Sequence, residues 1–330
     1  MEKILTIVIP AYNTEKYIER CLDSFLNIEV LKELEILIIN DGSTDQTPKI
    51  AQRYCSKFPS SIRIMNKENG GRGSAINMGI EQATGKYFKV VDADDWVEQA
   101  NLSEFVRKLR TINADVVAND YSVVQEGTLK VLEQHQVCKN KYHYGKEWGV
   151  AEAETEQVIP FCAMTYNTKI LQEHEVRVDE DILYEDAGYI LYPIPYCKNV
   201  YYDATNIYMH RVRKHKMTVE KQILLREKRE IDKVLEALLK YYDKNQFIQQ
   251  YKRKYLEKGI GLIVEKKFDI ALALRIKEEE LDELIRFDNK MLRDLPQIYA
   301  AVKKKHIWAI RHSNYKLFSL CSWIYRHFKI

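Results

Sequence analysis

Asp92 and Asp94 are separated by one residue in the segment Val90-Val91-Asp92-Ala93-Asp94-Asp95. In an extended chain, residues two apart point the same way, so both carboxylates face one site. Two hard oxygen ligands leaving a strand end suit Mg²⁺ or Mn²⁺, ions that normally complete their shell with substrate phosphates. Such an ion acts as a Lewis acid on a departing diphosphate. The competing reading is a solvated turn that caps the helix after Trp96.

Two more polar clusters precede it. In Asn40-Asp41-Gly42-Ser43-Thr44-Asp45, Asp41 offers an acceptor to the imide N–H of a uracil ring, and a sharp glycine turn lets a base approach the backbone. Read alone, D-G-S is a common turn. In Asn69-Gly70-Gly71-Arg72-Gly73-Ser74, glycines that open a helix present backbone N–H groups to phosphate, and a plain flexible loop is the equal alternative. Glu185-Asp186 is an adjoining pair of acids that also reads as the first turn of a helix.

The elements that must position these clusters follow from periodicity. Leu5 to Pro10, Glu35 to Asn40, Ile62 to Met65 and Lys86 to Asp92 are short apolar or β-branched runs that predict strands, with a fifth at Ala114 to Ala118. Helices are expected between them. Tyr17, Ile18, Cys21, Leu22, Phe25 and Leu26 recur at helical spacing. Pro48 fits a first helical turn capped by Thr47 or Asp45, and Ser74 to Ala83 forms the next helix. This alternation predicts an α/β fold with a parallel sheet between helices. The clusters near Asn13, Asp41 and Asp92 fall at the carboxyl ends of strands, where such sheets bind ligands. Dinucleotide binding is disfavoured: the first strand-to-helix turn, Pro10-Ala11-Tyr12-Asn13, has no glycine, and Gly71-x-Gly73 is followed by Ile76 where a third glycine belongs.

Thr128 to His215 reads as irregular and tyrosine-rich. After Met217 the pattern turns helical and charged, with Ile223, Ile231, Val234, Leu235 and Leu238 in register. No acidic residue follows Asp294. Lys303, Lys304, Lys305, Arg311, Lys316, Arg326 and Lys329 share that tail with Trp308 and Trp323. Leu317, Leu320, Cys321, Ile324 and Phe328 are expected on one stripe of a helix capped by Ser313, suiting an anionic membrane surface. Packing on protein is the equal alternative.

The chain has 330 residues, 46% hydrophobic and 30% charged, with a formal net charge of +3. That balance fits one large or two modest globular domains and is too small to argue for nucleic acid. Six scattered cysteines without metal-site spacing read as buried thiols of a reducing compartment. With no signal-peptide pattern after Met1 and no bilayer-length apolar run, the expected location is cytoplasmic, at most peripheral on the inner face of the membrane.

Taken together, the segments resemble the inverting, nucleotide-sugar-dependent glycosyltransferases of family 2, which have a GT-A fold. The matching stretches are IVIPAYN at 7–13, INDGSTDQT at 39–47, NGGRGSAINMGI at 69–80, ATGKYFKVVDADDW at 83–96 and YEDAGY at 184–189. The resemblance implies a catalytic domain over residues 1–215, with a mostly parallel sheet between helices, followed by a helical region over 216–330. It implies a UDP-sugar donor and a glycan or lipid-linked saccharide acceptor. Asp41 would be the uracil-binding acid, with Pro10, Ala11 and Tyr12 lining the base pocket. Gly71, Arg72, Asn77 and Ala93 would sit at the nucleotide sugar, and Asp92 and Asp94 would bind Mn²⁺ or Mg²⁺ and the diphosphate. Asp186, with Glu185 beside it, would supply the base. In His210-Arg211-Val212-Arg213-Lys214-His215, Arg211 would stabilise the leaving group and His210 would be a third metal ligand; a solvated basic turn competes. The sequence departs from the family at Ile76, where many members carry Arg, and Arg72 is the candidate to replace it. The rivals are a nucleotidyltransferase, which would usually need a Gly-rich basic loop after the first strand, and a silent scaffold module, against which the intact Asp41, Asp92, Asp94 and Asp186 argue.

Overall fold

Three strands are buried along almost their whole length, as parallel strands covered on both faces require: β1 (Leu5–Ala11), β2 (Leu34–Asp41) and β4 (Tyr87–Val90), while β3 (Ile62–Lys67) is a partly exposed edge strand. The computed structural model describes residues 2–138, 143–149, 157–180, 182–213 and 217–328. Between these strands lie α1 (Ile18–Asp23), α2 (Thr47–Lys57) and α3 (Gly71–Gln82). They are followed by β5 (Trp96–Val97), α4 (Gln99–Thr111), β6 (Val116–Gln125), β7 (Val131–His135), β8 (Glu147–Gly149), β9 (Met164–Asn167), α5 (Thr168–Glu173), α6 (Glu185–Leu191) and β10 (Asn199–Val212). The chain divides into two compact units, Met1–Asp181 with Glu185–Lys214, and Ile182–Tyr184 with His215–Ile330.

In the first unit the strands form one sheet in the order β3-β2-β1-β4-β9-β6-β10-β5, with β7 on β6 and β8 on β10. The expected parallel pairing holds across β3, β2, β1 and β4. Beyond β4 the sheet is mixed: β9 runs antiparallel to both neighbours, while β10 is parallel to β6. The irregular reading of 128–215 therefore hid a 14-residue strand. Its pattern is broken by polar residues, and its register on β6 shifts between Asp203 and Tyr208.

Helix starts are set by the strand-end acids. Asp45 accepts the N–H of Thr47 at 2.9 Å as α2 begins, so Asp45 supplies the capping bond although Gln46 holds the cap position. The helix predicted from Ser74 begins earlier, at Gly71, because the Asp41 carboxylate accepts the N–H groups of Gly70 and Gly71, each at 2.9 Å. Asp41 thus caps α3 from the end of a neighbouring strand. Gly73 permits the close approach of 179–180: a Cβ there would stand 2.2 Å from the Asp179 carbonyl oxygen. On one face of the sheet Ile7, Ile9, Leu22, Phe25, Ile36, Ile38, Phe105 and Val106 are fully buried, each such side chain contributing about 1.5–3 kcal/mol. That layer fixes where the polar strand ends emerge.

The second unit contains α7 (Met217–Lys244), α8 (Gln250–Leu274), α9 (Glu278–Asp294), α10 (Pro296–Ala301), α11 (Lys305–His312) and α12 (Phe318–Phe328). Ile231, Val234, Leu235 and Leu238 are buried as predicted, whereas Ile223 is exposed. The tail departs from its expected stripe. Leu317 and Leu320 are exposed, while Phe318 and Ser322 are buried, and Ser322 Oγ donates to the Leu272 carbonyl at 2.7 Å. Ser313 ends α11 rather than starting α12, though its Oγ accepts the Leu317 N–H. Two tail cations are engaged internally. Arg311 forms a fork on buried Asp288 at 2.6 and 2.9 Å, and Lys304 pairs with Asp269. Among the described residues no helix is long and apolar enough to cross a membrane.

Candidate active site

The carboxyl ends of β1, β2 and β4 open onto one cleft of about 380 Å³. Its lining brings together Pro10, Ala11, Tyr12, Asp41, Arg72, Asp92, Ala93 and Asp94, eight residues singled out in the sequence, with Asn13, Thr14, Tyr17 and Arg213. Asn13 takes a left-handed backbone, φ 52°, and its side-chain oxygen accepts the Thr44 N–H at 2.8 Å, tying the β1 and β2 turns together. Tyr12 is 53% exposed and holds an open ring face at the edge of the cleft. Asp41 Oδ1 accepts from Lys67 Nζ and Gly70 N–H, and Oδ2 from Gly71 N–H. The Gly70 and Gly71 N–H groups therefore point at Asp41, not outward at a phosphate as expected.

Arg72 organises the floor. Its Nε donates to Asp92 Oδ1 at 2.7 Å, and its Nη1 donates to Glu185 Oε1 at 3.2 Å and to Asp186 Oδ1. The guanidinium lies 4.7 Å over the Phe161 ring, and its Nη2 is buried without a hydrogen-bond partner. Burial opposes the charge on Arg72, but Asp186, Asp92 and Glu185 outweigh it and raise its pKa. Burial pushes the Asp92 carboxyl up to about 7, against the pull of Arg72 and with the help of Asp95 and Asp186. Burial and then Asp95 raise Asp94, against Arg213. Four carboxylates, Asp92, Asp94, Glu185 and Asp186, against the two cations Arg72 and Arg213 leave a local excess of negative charge that a divalent cation would relieve.

Asp95, which the sequence reading did not list as a site residue, is the buried anchor of the segment. It accepts from Tyr208 Oη at 2.7 Å, from the Arg211 N–H at 2.6 Å and faces His210 Nδ1 at 3.1 Å. The hydrogen bond to Asp95, against burial, raises the His210 pKa. His210 is thus engaged with Asp95 and does not line the cleft, unlike the third metal ligand expected. Arg211 is a supporting residue: its Nε donates to the Asp94 carbonyl, and its guanidinium lies over the rings of Tyr17 and Trp96. Asn77 is also displaced from its expected place. It is buried and bonded to Val178 and Glu180, because close packing at Gly73 brings that segment over α3.

No set of three His, Cys, Asp or Glu side chains arranged to hold a metal occurs among the described residues. Asp92 and Asp94 do supply two hard carboxylates in one cleft, the donor set of an ion that takes its remaining oxygens from substrate and water. The residues fit Mg²⁺ or Mn²⁺ on that ground.

The sequence model described as Glycosyl transferase family 2 matches residues 6–174. The chain belongs to glycosyl transferase family 2. Its relatives include the glycosyltransferase GlyA of Streptococcus pneumoniae, 30% identical over 224 residues, covering 64% of this chain and 31% of GlyA. A chondroitin synthase of Pasteurella multocida is 39% identical over 134 residues, covering 36% of this chain and 14% of that enzyme. The chain therefore spans less than a third of either relative. The crystal structure of S. aureus TarS 1–349 in complex with UDP-GlcNAc has the same fold, with a TM-score of 0.64 at 18% identity over 98% of this chain and 91% of TarS.

The family match ends before Glu185, so the geometry, not the match, brings the Glu185-Asp186 pair onto Arg72. It also bears on position 76. Ile76 is fully buried, and Arg72, four residues earlier on the same helix face, carries its guanidinium into the cleft instead.

Proposed function

We propose that this family 2 glycosyltransferase moves a sugar, with inversion, from a UDP-sugar to a hydroxyl of a growing cell-surface polysaccharide or its lipid-linked precursor. The observation that carries the reading is the shared cleft: the base-pocket candidates at the ends of β1 and β2 and the D-x-D carboxylates line it together, and Arg72 links Asp92 to Asp186. Asp41 Oδ2 accepts from Gly71 and keeps an acceptor position for a uracil imide. Tyr12 offers its ring to the base. Bound at Asp92 and Asp94, Mn²⁺ or Mg²⁺ would neutralise charge developing on the leaving diphosphate. Asp186 takes the acceptor proton. It is 37% exposed against 13% for Glu185, which favours it as the group that meets an incoming hydroxyl. Residues 1–215 form the catalytic domain in this reading and 216–330 a helical extension.

The extension is proposed to rest on the cytoplasmic face of an anionic membrane. Trp308, Leu320 and Trp323 are exposed in a stretch without acids, although Arg311 and Lys304 serve its interior. The saccharide acceptor and the membrane follow from family habit and this surface.

The donor reading is tested with a panel of UDP- and GDP-sugars, with and without Mn²⁺, scored for slow release of nucleoside diphosphate. A Mn²⁺-dependent release confined to a UDP-sugar is expected, and Asp94→Asn should abolish the Mn²⁺ dependence. Release from no nucleotide sugar at all rejects the reading.

A further inference from the structure

Both carboxylates of the D-x-D pair are met by a guanidinium. Arg72 Nε is 2.7 Å from Asp92 Oδ1, and Arg213 Nη2 is 2.5 Å from Asp94 Oδ2. The two arginines come from different elements, the first turn of α3 and the residue after β10. Each is seated on an aromatic face, Arg72 on Phe161 at 4.7 Å and Arg213 on Tyr17 at 4.5 Å. Each also keeps unused donor capacity: Arg72 Nη2 is buried without a partner, and Arg213 Nε reaches Glu126 only at 3.5 Å. Tyr17 is itself fixed, by its hydroxyl on Glu126 at 2.8 Å and by Arg211 over its ring at 4.9 Å. A polar donor held dry and unpaired is unfavourable unless another state of the protein gives it a partner.

We propose that Arg213 and Arg72 rest on Asp94 and Asp92 while the cleft holds no donor, and turn to the diphosphate oxygens when those carboxylates take up the divalent cation. Cation and nucleoside diphosphate then bind as one unit. The proposal rests on the donor reading above. Its physical basis is an exchange of partners. A carboxylate gripped by a guanidinium must give up a charge-assisted hydrogen bond before it can coordinate an ion. A bare cation leaves the displaced arginine without an anion and repels it. A diphosphate supplies oxygens for both arginines, so the exchange is favourable only when the two ligands arrive together. Linkage then requires nucleotide and cation to raise each other's affinity by the same factor.

Arg213 is the cleaner residue to change, because Arg72 also holds Glu185 and Asp186. Mn²⁺ binding is read by electron paramagnetic resonance for the wild type, Arg213→Gln and Arg213→Lys, alone and with UDP or UMP. The wild type should bind Mn²⁺ weakly alone and about tenfold or more tightly with UDP, less so with UMP, which lacks the second phosphate. Arg213→Gln should bind bare Mn²⁺ about tenfold tighter and Mn²⁺ with UDP less tightly, so the coupling collapses. Arg213→Lys keeps the charge and should retain part of the coupling, which preserves the test if the Gln variant folds poorly. A residue that only supports the fold would weaken both affinities together. If the Gln and Lys variants keep the wild-type affinity for bare Mn²⁺ and the wild-type coupling, the partner exchange is wrong while the donor reading stands. If the wild type binds neither UDP nor Mn²⁺ in any combination, the donor reading fails and the exchange fails with it.

Discussion

The Nε of Arg72 stands 2.7 Å from Asp92 Oδ1 on the floor of the cleft. Through its other arm the same guanidinium holds Asp186, so acids from two distant parts of the sequence share one cation. Arg72→Met should lower stability by about 2–3 kcal/mol, less than a fully buried pair because a fifth of the side chain is solvated. The double variant Arg72→Met/Asp92→Asn should recover part of the loss, since it removes the stranded carboxylate. Urea unfolding of the three proteins measures this; equal losses in the single and double variants would show that Arg72 acts by packing alone.

Gly73 carries a second, purely steric constraint. An added Cβ would sit 2.2 Å from a backbone oxygen of Asp179, and backbone cannot swing aside as a flexible side chain does. Gly73→Ala should therefore destabilise by about 1–3 kcal/mol and loosen the Asn77 contacts to Val178 and Glu180. A melting temperature equal to wild type would contradict the close approach.

The buried ammonium of Lys89 gives the pH dependence. It is 1% exposed and donates to the Cys162 carbonyl at 2.8 Å and Asn119 Oδ1 at 3.1 Å, and burial pulls its pKa down from 10.5 to about 7. Between pH 7 and 10.5 the unfolded chain holds a proton that the folded chain has lost, so this group makes stability rise with pH across that window. Raising the pH from 7 to 9 should shift stability toward the wild type relative to Lys89→Met by about 2 kcal/mol. A pH-independent difference between the two proteins would mean that the ammonium stays charged in the fold.

In the tail, structure and surface binding should separate. Arg311 is 8% exposed and Asp288 1%, with Tyr315 Oη also on Asp288. Arg311→Met should cost about 3–5 kcal/mol because it leaves a buried charge unpaired. Trp308→Ser/Trp323→Ser removes exposed rings and should leave stability nearly unchanged while lowering co-sedimentation with anionic vesicles. Vesicle binding that survives the tryptophan changes rejects the role given to the two rings, and vesicle binding absent in the wild type rejects the membrane reading.

Much of this arrangement was legible in the residues. Short apolar or β-branched runs located β1 to β4, and the polar clusters at Asp41 and Asp92 fell at strand ends that do share a cleft. What escaped the reading depends on contacts distant in sequence. β10 is interrupted by polar residues and becomes a strand by pairing with β6, β5 and β8, all distant in sequence. Asp95 looked like one acid among three, yet Tyr208, His210 and Arg211 from β10 make it the buried anchor. Asn77 lies within a matching motif but is drawn to Val178 and Glu180. The tail misled because its stripe was chosen by hydrophobicity alone: Phe318 and Ser322 are the buried face, and Arg311 belongs to the interior.

The most direct test of the account compares Asp186→Asn with the wild type in a single assay that follows UDP-sugar binding and sugar transfer together. Asp186 is 37% exposed beside Arg72, and it is not among the residues lining the cleft. Turnover should fall by roughly 10²–10⁴-fold while donor affinity stays within about threefold. Transfer at near wild-type rates, or loss of donor binding in step with turnover, would contradict the assignment of Asp186 as the base.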